Sequence, residues 1–119
     1  MMDSKIQKAL ETDKVIDITT IGRKTGKERR IEIWFHNMDG RFYITGRPGR
    51  KRDWYQNMVA HPQFTFHLKE RVTADLPATA RPITDASERR AWFERYLTNS
   101  DNDVEAWIVE SPLVEVVFD

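Results

Sequence analysis

Apolar and polar residues alternate along much of this chain, and this alternation predicts β-strands. Val15 to Ile21 is rich in β-branched residues, and Arg30 to His36 places Ile31, Ile33 and Phe35 on one face. In a half-buried strand every second side chain points to the core, and both segments fit this pattern. We expect them to be strands of one sheet, joined by the loop between them. The same reasoning predicts further extended segments over Arg41 to Thr45, Phe64 to Leu68, Val72 to Ala80 and Leu113 to Phe118.

Three other segments have the features of helices. Ser4 to Thr12 predicts a short helix capped by its first residue, and Asp53 is the expected cap of a second helix that runs through Ala60. The longest helix is expected to begin at Thr84 or Asp85, because aromatic and apolar residues recur after it at helical spacing. These helices should pack against the sheet.

The turns indicate how the strands are connected. Asp39-Gly40 is typical of a tight hairpin, and Pro77 suggests an edge or a bulge in its strand. Consecutive antiparallel strands without a strand-helix-strand rhythm predict a mainly β, α+β architecture, a small barrel or curled sheet decorated by helices. We expect one domain over residues 1–119, with residues 1–14 as an N-terminal helix or tail.

The composition narrows the class of protein. With 119 residues, 39% hydrophobic and 32% charged, the chain is long enough for a core and has no apolar run of membrane-spanning length. The absence of cysteine excludes disulfides and thiolate chemistry, and the first residues lack the apolar segment of a signal peptide. The three histidines lack metal-site spacing. We therefore expect a cytoplasmic protein without a bound metal.

Charge is distributed unevenly along the sequence. The formal net charge is zero, yet residues 23–52 contain ten Lys or Arg and three Asp or Glu. From Asn99 onward there are six acidic residues and no Lys or Arg. Because the protein lacks an overall positive field, its basic segment should bind a small anion better than a long polyanion.

The basic segment contains two loops that could bind an anion. Gly22 to Lys27 is close to a P-loop but has only three residues between its glycines, and Glu28 stands where a Mg²⁺-binding hydroxyl would be. These departures from the P-loop pattern argue against an NTPase. The glycine amides and the side chains of Arg23, Lys24 and Arg29 are candidates for binding an anion. A solvated turn is the alternative interpretation.

The second basic loop, Arg47 to Arg52, directly precedes the predicted second helix. Free amides and the positive end of the helix dipole would make this a second anion site. Two such sites suggest a ligand with an extended acidic tail. Trp54 and Tyr55 would form an aromatic wall or part of the core, and Asn57 is the polar residue expected to make a specific contact. No acid–base pair is evident, so a cofactor should supply the chemistry.

Three segments together carry a resemblance to a known family. They are TTIGRKTGKERR, DGRFYITGRPG and DWYQNMVAHPQFTFHLK. In this order they resemble the deazaflavin-dependent nitroreductase family, which is similar to the split β-barrel flavin-binding oxidoreductases. The resemblance runs from about Val15 to Phe118. It implies a split β-barrel with two or three flanking helices that binds coenzyme F-420, a hydride carrier with a phosphate and an oligoglutamate tail.

The resemblance also implies roles for individual residues. Arg23, Lys24 and Arg29 would surround the phosphate and tail, and Arg47 would match a lysine of the second loop. Glu32 departs from the family pattern by placing a charge next to the expected groove, and Gly46 replaces a small hydroxyl residue expected to contact the ring. The expected coenzyme-binding residues are Arg23, Lys24, Thr25, Arg29, Gly46, Arg47, Gly49, Trp54 and Asn57.

The implied activity is hydride transfer from the reduced coenzyme to a small electron-poor acceptor. A quinone, an enone and a nitro compound all fit this description. Trp34, Tyr43 and Trp107 are candidates for an acceptor pocket, with Tyr43 as a candidate proton donor. Each of the three also fits a purely structural role, and no other catalytic residue is assigned.

Three alternatives remain open from the sequence. The chain could bind the coenzyme without turnover, or use FMN or another flavin or tetrapyrrole ligand in the same groove. It could also bind single-stranded nucleic acid through basic loops and aromatic residues, but the neutral net charge and acidic C-terminal segment argue against a nucleic-acid partner. Pairing of two chains into a homodimer is left open.

Overall fold

A single antiparallel sheet of seven strands organises the chain, in the order β2-β1-β5-β6-β7-β4-β3. The computed structural model describes residues 3–119. Because β2 and β3 lie at opposite edges, the curled sheet is a half-open split barrel, which confirms the expected fold. The strands are β1 (Val15–Ile21), β2 (Glu28–Trp34), β3 (His36–Met38), β4 (Arg41–Thr45), β5 (Gln63–Leu68), β6 (Ala74–Pro82) and β7 (Leu113–Phe118).

Four helices flank the sheet in the described part of the chain, one more than the expected two or three. None of the helices within residues 3–119 is long and apolar enough to cross a membrane. The helix over Val104–Glu110 was not predicted, because its acidic surroundings and short length give only a weak apolar stripe. The helices are α1 (Ser4–Thr12), α2 (Asp53–Ala60), α3 (Ala86–Tyr96) and α4 (Val104–Glu110).

The two faces of the sheet are covered differently. On one face, buried residues of β1 and β5 such as Ile18 and Phe66 pack with α1 and α2. The Phe66 ring lies 5.2 Å from the Phe35 ring and 5.1 Å from the Phe118 ring, centroid to centroid. On the other face, α3 and α4 cover only the end formed by β4 and β7, where Tyr43 lies in a second apolar cluster. The rest of that face carries polar side chains.

The expected second strand is divided in two. It was predicted over Arg30 to His36, but β2 spans Glu28–Trp34 and β3 begins at His36. The break falls at Phe35, whose side chain is buried and whose amide donates to the Lys14 carbonyl at 3.0 Å. The hairpin prediction is confirmed, because Asp39 and Gly40 have φ values of 57° and 83°.

Two predicted helix caps are wrong by one residue. Asp3, rather than Ser4, caps α1 by accepting a hydrogen bond from the Lys5 amide at 2.6 Å. Asp53 is the first residue of α2 rather than its cap, and Arg52 at the cap position makes no side-chain capping bond. Of the two residues expected to begin the longest helix, Thr84 and Asp85, it is Asp85 that caps α3, since it accepts from the Glu88 amide.

Pro77 lies in a central strand rather than at an edge or in a bulge. It pairs in register with Thr65 of β5, and β6 is flanked on its other side by β7. Its carbonyl accepts from the amide of Asp119, the residue directly after β7. The backbone N–H that proline lacks would lie where the hydrogen bonds between β6 and β7 end. The strand therefore tolerates proline at this position.

Glu115 of β7 joins three strands through its carboxylate. It accepts hydrogen bonds from Arg41 Nε at 2.7 Å and from Arg81 Nε at 2.9 Å, and its side chain is largely buried. The hydrogen bond from Arg41, opposed by burial and reinforced by Arg81, holds the pKa of Glu115 below its usual range. An ionised Glu115 thus stabilises the folded state.

We expect Glu115→Gln to lower the free energy of unfolding at neutral pH by about 1–2 kcal/mol, because it weakens charge-assisted hydrogen bonds. A lowered folded-state pKa gives stability that is present above the unfolded value, about 4.3, and is lost as the pH falls through the folded value. The difference between the proteins should therefore shrink below about pH 4. Urea unfolding across this range measures it, with Glu11→Gln on an exposed side chain as the control. A pH-independent difference would contradict this account.

Candidate functional site

Two basic loops and the start of α2 enclose a cleft of about 500 Å³. Strands β1 and β2 form one wall, where Thr20 and Arg29 are register partners and Ile31 lies on the same face. One carboxylate, that of Asp53, also lines the cleft. Since cations outnumber it, the cleft attracts anions. The cations that line it are Arg23, Lys24, Arg29, Arg50, Lys51 and Arg52.

The loop between β1 and β2 is closed by its own backbone. The Gly22 amide donates to the Lys27 carbonyl and the Gly26 amide to the Gly22 carbonyl, both at 2.8 Å. The expectation that these glycine amides turn toward a ligand is therefore wrong. Gly26 supplies a φ of 71°, and a Cβ at Gly22 would lie 2.8 Å from Thr25 Oγ1. The glycines shape the loop, and its side chains supply the charge.

Asn57 connects the helix, the loop and the strand behind the cleft. Its side chain is buried, and its Oδ1 accepts from the Arg23 amide at 3.1 Å and from Arg23 Nη1 at 3.0 Å. Its Nδ2 donates to Thr20 Oγ1 at 3.2 Å. The structure thus shows a positioning role for Asn57, which fixes both the loop backbone and one guanidinium.

The first turn of α2 faces the cleft and lacks a side-chain cap. Asp residues cap α1, α3 and α4, whereas no side chain of residues 3–119 accepts from the first amides of α2. Free amides and the helix dipole make this end favourable for an anion. Asp53 turns instead to Arg23, with Nη2 and Oδ1 at 3.3 Å.

The second basic loop is held together by Arg52. Its guanidinium donates to the carbonyls of Arg47 at 3.2 Å and Arg50 at 3.1 Å. It also covers Gly46, where a Cβ would lie 2.9 Å from Nη2. Burial, with a contribution from Arg50, lowers the pKa of Arg52. Glycine at position 46 therefore makes room for Arg52, and a side chain there would displace it.

A second cleft, of about 550 Å³, lies on the other side of this loop. Arg50, Lys51 and Arg52 line both clefts, so the loop forms a common wall. Opposite these cations the second cleft has a mixed lining. Tyr55, Ile83, Val109 and Pro112 contribute apolar surface, and Arg89 and Glu110 lie among them.

The sequence model of one family, F420H(2)-dependent quinone reductase, matches residues 1–118. The chain belongs to this family. It is therefore an oxidoreductase that uses reduced coenzyme F-420, and the expected resemblance is confirmed. The cationic lining of the first cleft agrees with a coenzyme that carries a phosphate and an acidic tail.

Solved structures support the fold assignment. A conserved hypothetical protein from Mycobacterium tuberculosis is 17% identical, with a TM-score of 0.70 over 99% of this chain and 81% of that chain. A reductase that depends on reduced F-420 is 20% identical, with a TM-score of 0.55 over 87% of this chain and 94% of that one. A domain-swapped dimer is 19% identical, with a TM-score of 0.55 over 87% and 80% of the respective chains.

The residues assigned to the coenzyme of this reductase fall into three groups. Lys24, Thr25, Arg29 and Trp54 line the first cleft, together with Arg23 and Asn57. Gly49 lines the second cleft, whereas Gly46 and Arg47 line neither. The assignments stay predictions. The structure places Arg47 at the edge of the loop, with its carbonyl bound to Arg52.

The three aromatic residues expected at an acceptor pocket of the reductase do not lie together. Trp34 is at the end of the edge strand β2 and 56% exposed, whereas Tyr43 and Trp107 are buried in the cluster under α3 and α4. The Tyr43 ring lies 5.3 Å from that of Trp92, and burial raises the pKa of its hydroxyl. None of the three lines either cleft, and their role at the acceptor stays a prediction.

Sequence reasoning missed some residues of the cleft and misplaced another. Thr20 and Ile31 line the cleft because they face inward on β1 and β2, and only the strand alternation pointed to this. Arg50, Lys51 and Arg52 were recognised as basic but were not assigned to the coenzyme. Glu32 is not next to the cleft, because it faces the opposite side of β2 and pairs with Lys69.

Proposed function

We propose that the first cleft of the reductase holds the phosphate and oligoglutamate tail of F-420. The observation that supports this most directly is that, among the described residues, six cations and a single carboxylate line this cleft. Arginine can grip a phosphate or carboxylate with two parallel donors, and Arg29 presents its guanidinium from a strand rather than from a flexible loop. The uncapped start of α2 adds backbone donors.

The second cleft is our candidate for the coenzyme ring and the acceptor. It adjoins the first through Arg50, Lys51 and Arg52, and Ile83 and Val109 give it apolar surface. A planar acceptor without charge would be stabilised by such a lining. Because Arg50, Lys51 and Arg52 line both clefts, the site for the tail and the site for the ring would lie at a fixed separation.

When bound, the reduced coenzyme supplies the hydride, and the protein has to hold the two reactants close and correctly oriented. Arg23 is positioned for this by Asn57 and Asp53, and Arg52 fixes the loop that divides the clefts. Such a reaction does not require a strong acid–base pair. Arginine and lysine side chains around the second cleft can stabilise negative charge that develops on an acceptor oxygen.

We further propose a quinone as the acceptor class, because the family is that of quinone reductases. The purified protein should accelerate oxidation of reduced F-420 by a soluble quinone well above the uncatalysed rate, followed by the return of the oxidised coenzyme's absorbance. Enones and nitro compounds at equal concentration serve as the comparison. Tight coenzyme binding with no acceleration for any acceptor would overturn the proposal in favour of a non-catalytic binder.

Two broader features also belong to this proposal. A homodimer through β2 is suggested by its position at an edge of the sheet and by exposed Trp34, and one structural neighbour is a domain-swapped dimer. A cytoplasmic location, expected from the lack of cysteine, completes the proposal.

A further inference from the structure

Three polar side chains form a hydrogen-bonded row on the face of the sheet opposite the first cleft. They are Thr19 of β1, His67 of β5 and Asp75 of β6, on three adjacent strands. His67 is the direct register partner of Asp75, and Thr19 lies diagonally across from His67. Neither cleft nor coenzyme site uses these residues.

The contacts are short and run in sequence. Thr19 Oγ1 lies 2.7 Å from His67 Nε2, and His67 Nδ1 lies 2.7 Å from Asp75 Oδ1. The hydrogen bond from His67 lowers the pKa of Asp75, which is therefore an ionised acceptor at neutral pH. A neutral His67 then carries its proton on Nδ1, and Nε2 is free to accept from the Thr19 hydroxyl.

The row lines a cavity of about 570 Å³, so the Thr19 hydroxyl borders open space. Arg30 of β2 is the direct register partner of Thr19 and lines the same cavity. Its Nε is held by Asp17 at 3.0 Å, and among residues 3–119 its Nη atoms have no hydrogen-bond partner. The cavity that the Thr19 hydroxyl borders is therefore also lined by one cation, whose donors can hydrogen-bond to a negatively charged oxygen, and by the carboxylate of Glu28.

We propose that Thr19, His67 and Asp75 form a second catalytic site that hydrolyses small carboxylic esters. The hydroxyl, imidazole and carboxylate have the mutual geometry of a nucleophile, a general base and a positioning residue. The β6-centred half of this face is not covered by α3 and α4, whose cluster lies against Tyr43 and Leu113 at the other end. An ester can therefore approach from solvent.

The reaction balances without an added oxidant or reductant. A bond forms between Thr19 Oγ1 and the ester carbonyl carbon while His67 Nε2 takes the hydroxyl proton. The bond between that carbon and the leaving oxygen then breaks, and the same proton passes to the alcohol that departs. In the second step His67 Nε2 takes a proton from water as the water oxygen bonds to the same carbon. The bond from that carbon to Thr19 Oγ1 then breaks, His67 returns the proton to Oγ1, and the acid leaves. Arg30 would stabilise the oxyanion that forms in both steps.

The test uses p-nitrophenyl acetate and the full-length protein. We expect steady release of p-nitrophenolate and an acetyl group on Thr19 in rapidly quenched samples, located by peptide mass spectrometry. Thr19→Val removes the hydroxyl at nearly constant shape and should lower turnover by at least about 100-fold. Thr19→Ser should retain turnover, and Thr73→Val, at an exposed position outside the cavity, should leave it unchanged.

Asp75 acts through His67 and needs a separate measurement. Asp75→Asn should lower kcat by about 100-fold with KM unchanged, because it no longer fixes the imidazole tautomer. F-420-dependent activity should persist in every variant, since these residues lie away from both clefts, and it reports that the protein is folded. Turnover equal in wild type and Thr19→Val, or acetylation confined to lysines, would overturn the proposal. It does not depend on where F-420 binds.

Discussion

Replacing Arg29 with glutamate should weaken F-420 binding by about 100-fold, or roughly 3 kcal/mol. Arg29 lies on β2, opposite Thr20, and its side chain enters the first cleft. Within residues 3–119 its guanidinium makes no ion pair, so all of its donors are available to a ligand. The substitution removes a charge-assisted contact and adds repulsion of an acidic tail. Titration followed by coenzyme fluorescence or calorimetry measures the dissociation constant.

Arg47→Glu is the matched control, because it makes the same change in net charge from a neighbouring basic loop. The Arg47 side chain lines neither cleft, and we expect the dissociation constant to change by less than about threefold at physiological salt. Equal losses in both variants would contradict the assignment of the tail to the first cleft. A loss confined to Arg47 would instead support the role that the family resemblance gives it.

Most helices and strands of this fold could be predicted because the residues that determine each one lie within it. Val15–Ile21 and Leu113–Phe118 are strands where β-branched residues recur, and Asp39-Gly40 forms the turn its residues favour. The break at Phe35 was missed because an uninterrupted alternation conceals it. It depends on a hydrogen bond to Lys14, twenty-one positions earlier.

The candidate site was predictable only in its charge. Both basic loops were recognised from composition, and the structure brings them to one cleft. Which cations enter that cleft could not be read from spacing, since loop side chains have no periodic direction. Arg52 illustrates this, because it turns back to the carbonyls of its own loop and packs over Gly46. Its role depends on the path of the whole segment.

The side chains of consecutive residues in β1 point to opposite faces of the sheet. Thr20 faces the basic cleft and accepts from Asn57, whereas Thr19 faces His67. This division follows from the two-residue period of a strand, which lets one segment support two separate polar networks. Substitutions at one position should therefore leave the other network intact. The two proposed activities can be tested independently for this reason.

Asn57→Leu should destabilise the fold by about 3 kcal/mol and lower the melting temperature by about 10 °C. Leucine keeps the number and branching of the side-chain heavy atoms, but it leaves buried Thr20 Oγ1 and the Arg23 amide without their amide partner. Burying polar groups without partners costs more than removing an exposed hydrogen bond. Thermal unfolding followed by circular dichroism measures the loss of stability.

Asn57→Asp separates the role of the hydrogen bonds from that of side-chain shape. A carboxylate can still accept from the Arg23 amide and guanidinium, and the Thr20 hydroxyl can rotate to donate to it. This variant should therefore retain more stability than Asn57→Leu. Gln56→Leu, on the same helix and without a hydrogen bond from its side chain among residues 3–119, should change stability by less than about 0.5 kcal/mol. If Asn57→Leu were as stable as Gln56→Leu, the loop would be held by its own backbone bonds and Arg23 would not need Asn57 to position it.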